Sequence, residues 1–150
     1  MGLGNLLMGD EGIGIRCIEY LREQQLPAGI DLLDGGTAGF QLLSRFNEYD
    51  HVILIDAAVG DGIPGEVHVL RPRFAADFPR SLTSHDIGLR DLVQAAELLD
   101  DLPDIHLITI HVKKVRQVTL ELSPDLKESP RKVYDVVSRI VEDLIPPAGN

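Results

Sequence analysis

The sequence predicts a single α/β domain with a mostly parallel sheet, and three observations carry this prediction. Short apolar strands alternate along the chain with amphipathic helices, which is the pattern of layered α/β proteins. The segment 51–55 is almost continuously apolar, as is typical of a central parallel strand covered on both faces. A chain of 150 residues has the usual length of one domain and can bury a substantial core. We therefore expect one domain over residues 1–150.

The first half of the chain contains two predicted helices and three predicted strands: helix 14–25, strand 30–33, helix 40–46, strand 51–55 and strand 66–70. Both helices repeat apolar residues at helical spacing, so that one side of each faces inward. The first strand ends at a glycine-rich turn. The last strand alternates between apolar and polar residues, which indicates that one of its faces is more exposed to solvent.

The second half continues with helix 88–99, strand 105–112 and helix 130–145. The segment 118–122 is a candidate for a short extra strand. The closing helix has clear start and stop signals, since Ser129 suits the N-cap and Pro130 the first helical position. Its end is predicted by the proline that follows it.

Charge and composition exclude several classes of function. The chain has 14 basic and 24 acidic residues and a net charge of −10, whereas broad nucleic-acid binding and docking on anionic lipid both require cations. No apolar run reaches the roughly 18–20 residues that span a bilayer, and no signal peptide is recognisable. We expect a soluble cytoplasmic protein that binds neither nucleic acid nor membrane.

The single cysteine, Cys17, cannot form an internal disulfide. It lies among apolar residues of the first helix, so its default interpretation is a small buried hydrophobe. A catalytic thiol would require a partner histidine, which the sequence alone does not place.

Three candidate functional positions lie where predicted strands lead into helices, the edge at which open α/β sheets form their sites. Glu11, with Asp10 before it, lies in a glycine-flanked loop; Asp56 follows the apolar strand 51–55; and His85 precedes the helix 88–99. Each has a structural alternative, as a helix cap, a turn former or a surface loop residue. Two carboxylates and an imidazole at one edge can converge, and such ligands suit a borderline divalent ion such as Zn, Ni or Mn.

The other histidines are weaker candidates. His51, His68 and His106 begin or lie within strands, which favours structural or solvent-facing roles. His111 lies near the carboxyl end of its strand and is the one additional histidine that could approach the site. No nucleotide cofactor is expected, because the early glycines lack the strand and the spacing of a dinucleotide fingerprint.

At these positions the sequence resembles the hydrogenase maturation endopeptidase family, whose members trim the large subunit of nickel–iron hydrogenases. The match begins with residues 4–14, GNLLMGDEGIG, close to the family pattern GN-x(4)-D-[DE]-G-x-G. It continues through the segments 34–37, 56–57 and 64–66. It also includes His85 with the Gly-Leu pair that follows it, so that order and spacing agree over about residues 2–112.

The resemblance implies a three-layer α/β/α sandwich of the phosphorylase/hydrolase-like kind around a five-stranded sheet. It implies an endopeptidase that removes a C-terminal peptide from the hydrogenase large-subunit precursor after nickel insertion. Glu11, Asp56 and His85 would then be both the metal ligands and the catalytic residues. Nickel in the precursor would be the recognition signal rather than a metal held by the free protein. Whether a metal-activated water or a carboxylate attacks the peptide bond stays open.

The chain departs from the family in two places. Family members usually have an apolar first strand before the first glycines, and here only Met1 stands there, so we expect a truncated first strand. After strand 105–112 the family often has a glycine and a proline, where this chain has residues 112–115, VKKV. The substrate-facing loop of this chain therefore differs from that pattern.

Two alternatives to the endopeptidase remain at this point. One is a nickel-sensing chaperone that binds the precursor without cutting it, its hydrolytic competence lost with the first strand. The other is an autonomous metallohydrolase, which would hold its metal tightly without any precursor. Analysis of the products and of bound metal distinguishes them.

Overall fold

The computed structural model describes residues 1–36, 44–82, 89–98, 102–113 and 118–146. Within these residues the strands are β1 Gly2–Leu3, β2 Asp34–Gly36, β3 His51–Val59, β4 Val67–Leu70 and β5 Asp104–Val112. The helices are α1 Ile13–Arg22, α2 Leu89–Glu97 and α3 Ser129–Leu144. Residues 44–46 are also helical, while the rest of the predicted helix 40–46 lies outside the described residues.

One five-stranded sheet has the order β2-β1-β3-β5-β4. The first four strands in that order run parallel to their neighbours, and β4 pairs antiparallel with β5 at the edge. The long ladder between β3 and β5 runs from His51 opposite Asp104 to Val59 opposite Val112. The α/β class and the mostly parallel sheet are thus confirmed.

Side chains of the central strands alternate between two apolar clusters, one on each face of the sheet. Val52 and Leu54 of β3 point into a cluster that includes α2 and the short helix Ala75–Asp77. Ile55 and Ala57 point to the other face, where α1 and α3 pack. This period of two explains why the middle strands are largely apolar, because each residue meets one helical layer or the other. The result is the expected three-layer arrangement.

The sheet contains a short strand at the position expected for the first strand. Gly2–Leu3 form a two-residue strand between β2 and β3, so the sheet retains a short member there. Helix α1 lies unusually close to it, since a Cβ atom at Gly14 would stand 2.3 Å from the carbonyl oxygens of both Leu3 and Ile55. Only glycine fits this approach of helix to sheet.

Three predictions about element boundaries are wrong. The strand predicted over 30–33 is instead Asp34–Gly36, because its partner β1 begins only at Gly2 and pairs with the later residues. The extra strand at 118–122 is reduced to one bridge, between Thr119 and Met8. Ser129 is not the N-cap of α3: it lies inside the helix, and Glu128 precedes it as the cap residue.

Candidate active site

The sequence predicted that Asp56 follows the end of the apolar strand 51–55. In the structure Asp56 lies inside the central strand β3. The ladder with β5 continues for three more residues, because the small buried Ala57 and Ala58 extend the strand. The Asp56 side chain is only 2% exposed, and its Oδ1 accepts a 2.8 Å hydrogen bond from the backbone N–H of Ala57. A carboxylate removed from water in this way requires polar neighbours.

Thr109 is one such neighbour that the sequence analysis missed. It stands opposite Asp56 in the β3–β5 register, and it is 4% exposed. Since partners in a parallel ladder point to the same face, the two polar side chains share one side of the sheet. A threonine between the apolar residues Ile108 and Ile110 was the available signal, but only the register connects it to Asp56.

Glu11 lies in a 3-10 helix, Gly9–Gly12, that packs against β3 and leads directly into α1. Its side chain is half-buried. The interpretation of Asp10 or Glu11 as the cap of α1 is wrong, because Gly12 occupies the N-cap and no side chain bonds the cap. The structure thus brings the segment that carries Glu11 against the strand that carries Asp56.

Asp10 has a different role from the one expected. Its Oδ1 accepts a 2.7 Å hydrogen bond from the backbone N–H of Ser123, 113 residues away in sequence. We call residues 118–123 the edge segment. This segment also exchanges two backbone hydrogen bonds with the loop before Glu11, through Thr119 to Leu7 and Gly9.

A further anchor comes from α1, where Arg16 Nη2 donates to the Leu120 carbonyl oxygen at 2.7 Å. The edge segment is therefore tied to both the Glu11 loop and the first helix. These hydrogen bonds hold the segment that contains the 3-10 helix to the edge segment, in addition to its packing against β3. The position of Glu11 depends on tertiary contacts as well as on its local turn.

His85 lies outside the described residues, and its place relative to Asp56 stays a prediction. The residues on either side of the undescribed segment 83–88 are described. Leu82 forms a bridge with Ala58 of β3, and Val59 donates a 2.8 Å hydrogen bond to the Ser81 carbonyl oxygen. Leu82 and Leu89 both pack into the apolar cluster on the Val52 face of the sheet. By the alternation of β3, that is also the face of Asp56.

In the part of the chain that the structure describes, no three His, Cys, Asp or Glu side chains cluster closely enough to hold a metal ion. Glu11 and Asp56 offer carboxylate oxygens, and an imidazole would have to come from elsewhere. Such a mixed oxygen and nitrogen donor set suits a borderline divalent metal with open positions. It can also supply a general base beside a peptide bond.

Cys17 is confirmed as a buried hydrophobe. It is 0% exposed within α1, and burial raises the pKa of its thiol to about 12. The thiol is therefore protonated at neutral pH, and the alternative of a catalytic thiolate is excluded.

Two of the other histidines have local partners. His51 lies 3.4 Å from Asp104, and His68 lies 3.5 Å from Glu66, both at the exposed surface. His106 is buried in β5, where burial lowers its pKa and its Nδ1 atom has no hydrogen-bond partner among the described residues. The surface positions of His51 and His68 and the buried position of His106 agree with the solvent-facing and structural roles predicted for the three.

His111 accepts a 2.7 Å hydrogen bond from the backbone N–H of Gly62 through its Nε2 atom. Its ring is thus directed at the loop that follows β3. The sequence had marked it as a residue that could approach the site; the structure shows which group it contacts.

No helix in the described ranges is long and apolar enough to cross a membrane.

Comparison with known proteins identifies hydrogenase maturation proteins among the relatives of this chain. The family model for hydrogenase maturation proteases matches residues 15–140. The chain is 38% identical over 106 residues to the hydrogenase 2 maturation protease of Escherichia coli, covering 69% of this chain and 65% of that protein. It is 35% identical over 115 residues to the hydrogenase expression/formation protein HupD of Bradyrhizobium diazoefficiens, covering 73% and 58%. The matched part of the chain therefore spans less than two thirds of either relative.

Solved structures show the same likeness over nearly the whole chain. The hydrogenase maturating endopeptidase HybD from E. coli superposes with a TM-score of 0.84 at 30% identity, covering 95% of this chain and 90% of that one. A hydrogenase maturation protease HybD from Thermococcus kodakarensis superposes with a TM-score of 0.72 at 26% identity, covering 93% and 95%. On these matches, the chain belongs to the hydrogenase maturation protease family.

Proposed function

We propose that this protein is an endopeptidase that removes a C-terminal peptide from the large-subunit precursor of a nickel–iron hydrogenase. The observation that supports it best is the buried carboxylate of Asp56 on the central strand, with the Glu11 helix packed against that strand. Family membership adds the reaction class, since the matching proteins are named maturation proteases and endopeptidases.

In this proposal Glu11, Asp56 and His85 complete the coordination of nickel already present in the precursor. The metal is then part of the substrate and not a resident cofactor. Carboxylates and an imidazole are suitable nickel ligands. Contact with the metal aligns the scissile bond beside the site, where positioning alone accelerates a reaction strongly. A precursor without nickel lacks the group that these side chains bind.

Purified protein mixed with nickel-loaded precursor should release a short C-terminal peptide, detected by mass spectrometry. Nickel-free precursor should stay intact. Glu11→Gln, Asp56→Asn and His85→Ala should each abolish release, because each removes one ligand. Matched controls are Glu19→Gln on the exposed side of α1, Asp135→Asn on α3 and His68→Ala on β4, which should cleave normally.

Thermal unfolding of every variant separates loss of a ligand from loss of fold. Because Asp56 is buried, Asp56→Asn also needs a precursor-binding assay, in which weakened nickel-dependent binding by a folded variant supports the assignment. Full activity in all three ligand variants would contradict the site. Equal cleavage of nickel-free precursor would contradict recognition through the metal.

The chaperone alternative assumed that the first strand was lost. Residues Gly2–Leu3 fill that position in the sheet, so the structure offers no observation in its favour. A stable complex with uncut, nickel-loaded precursor in the same mass-spectrometry experiment would nevertheless establish it.

A further inference from the structure

The loop between β3 and β4 crosses the carboxyl end of β5. This crossing follows from the strand order, because β5 lies between β3 and β4 in the sheet. We call residues 60–65 of this loop the crossing loop. It begins four residues after Asp56, so it borders the carboxyl edge at which the candidate site lies.

His111 contacts the crossing loop and the residue after it at three points. Its Nε2 accepts the Gly62 N–H at 2.7 Å, its carbonyl oxygen accepts the Gly65 N–H at 2.8 Å, and its own N–H donates to the Glu66 carbonyl oxygen at 2.9 Å. The two backbone contacts would form with any residue other than proline at position 111. The ring contact requires a side chain with an acceptor at that distance.

The glycines of the loop fit the ring. A Cβ atom at Gly62 would stand 2.9 Å from both Cε1 and Nδ1 of His111, and one at Gly60 would stand 3.3 Å from Cε1. A side chain at position 62 would therefore displace the ring, and the backbone lies against the imidazole only because it has none.

The crossing loop, which His111 contacts, exposes one large apolar side chain. Ile63, next to the Gly62 anchor, is 72% exposed. Its neighbours Asp61 and Gly62 are exposed as well, so the side chain is not covered by its own loop. An isoleucine presented to solvent on a loop that is fixed in place is suited to contact an apolar group of a partner, because little freedom is lost on binding.

We propose that His111 is a positioning residue, which holds the crossing loop so that Ile63 contacts the precursor beside the scissile segment. The proposal rests on the proposed endopeptidase function for the identity of the partner. The loop geometry itself does not depend on that function. His111 acts through the loop and has no contact with the reacting atoms.

The first experiment measures the loop without any substrate. Amide hydrogen exchange of Gly62, followed by NMR, should accelerate about tenfold in His111→Phe, which keeps a ring but has no acceptor. His111→Gln, whose amide oxygen can take the place of Nε2, should stay near the wild-type rate. His51→Phe, at the other end of the sheet, is the matched control. Equal Gly62 exchange in wild type and His111→Phe would overturn the positioning role.

The second experiment measures cleavage of nickel-loaded precursor. His111→Phe and Ile63→Ala should each raise KM by about five- to tenfold, the size of one well-packed interface contact, with kcat retained. His111→Gln should restore the wild-type KM. Unchanged KM in both variants would overturn the substrate contact. If the wild-type protein cleaves no precursor, the proposed function fails, and the exchange experiment still decides whether His111 holds the loop.

Discussion

At the scale of single residues, Asp56 and Cys17 are both buried, yet burial has different consequences for them. Cys17 is surrounded by the apolar side chains of α1 and its neighbours, so its neutral form is favoured. Asp56 accepts a hydrogen bond from the backbone N–H of Ala57, and it lies opposite the polar Thr109 in the β3–β5 register. The same depth in the fold therefore leaves one side chain inert and gives the other a hydrogen-bond donor.

The Cys17 thiol should resist alkylation in the folded protein. With its pKa raised to about 12, almost none of it is thiolate at pH 7.5, and the side chain is inaccessible. Incubation with iodoacetamide followed by mass spectrometry should show slow modification of the native protein. The same protein in urea should react at the rate of an ordinary cysteine. Rapid modification of folded protein would contradict the burial of this side chain.

At the scale of elements, the edge segment 118–123 connects parts of the chain that are distant in sequence. It is held by Asp10 through the Ser123 amide and by Arg16 through the Leu120 carbonyl oxygen. Because Glu11 follows Asp10 directly, the same contact that holds the edge segment also steadies the 3-10 helix. Glu11 is the candidate ligand of this pair, and Asp10 is a structural anchor.

Asp10→Ala should lower the free energy of unfolding by about 1–3 kcal/mol, since it leaves the partly buried Ser123 amide without its charged acceptor. Urea unfolding measures this loss, and hydrogen exchange should show reduced protection of the Ser123 amide. Glu19→Ala is the control, because it removes only an exposed ion pair with Arg16, worth no more than about 0.5 kcal/mol. Equal stability of the two variants would argue against the anchor.

At the scale of the whole molecule, the start of β1 lies deep in the sheet. Met1 is buried there, and its carbonyl oxygen accepts a 2.9 Å hydrogen bond from the backbone N–H of Ile55. A cavity of about 470 Å³ opens beside it, lined by the amino ends of the strands and by α1 and α3. This cavity is at the opposite end of the sheet from Glu11 and Asp56.

Stability should fall as pH is lowered below about 6.5, because His106 is buried. Burial lowers the pKa of its imidazole below the ordinary value of 6.5, so in that window the ring is uncharged in the folded protein and charged in the unfolded chain, and acid favours unfolding. Urea unfolding at several pH values measures the slope.

His106→Gln has no titrating group at this position and should lose this part of the slope. Asp104 acts in a lower window: the hydrogen bond from Arg71 lowers the pKa of its carboxyl, so its contribution is lost only as pH falls further. The same slope in wild type and in His106→Gln would contradict the effect of the buried imidazole.

The sequence by itself determined the layered α/β class and the kind of residues at the candidate site. Apolar periodicity reports which side of each element faces inward, and the Asp-Glu motif is local, so both can be recognised without coordinates. The single domain over residues 1–150 and the role of His85 stay predictions. The inward face of helix 14–25 was predicted correctly for the same reason, although the observed helix ends at Arg22.

Only the tertiary structure decided how these parts meet. The pairing of Asp56 with Thr109, the bond from Ser123 to Asp10 and the ring contact of His111 with Gly62 each join residues far apart in sequence. Boundaries failed where a distant partner set them: β2 shifted to pair with the short β1, and β3 lengthened along β5. Periodicity records the environment of one segment, whereas register and crossing loops depend on which other segment lies beside it.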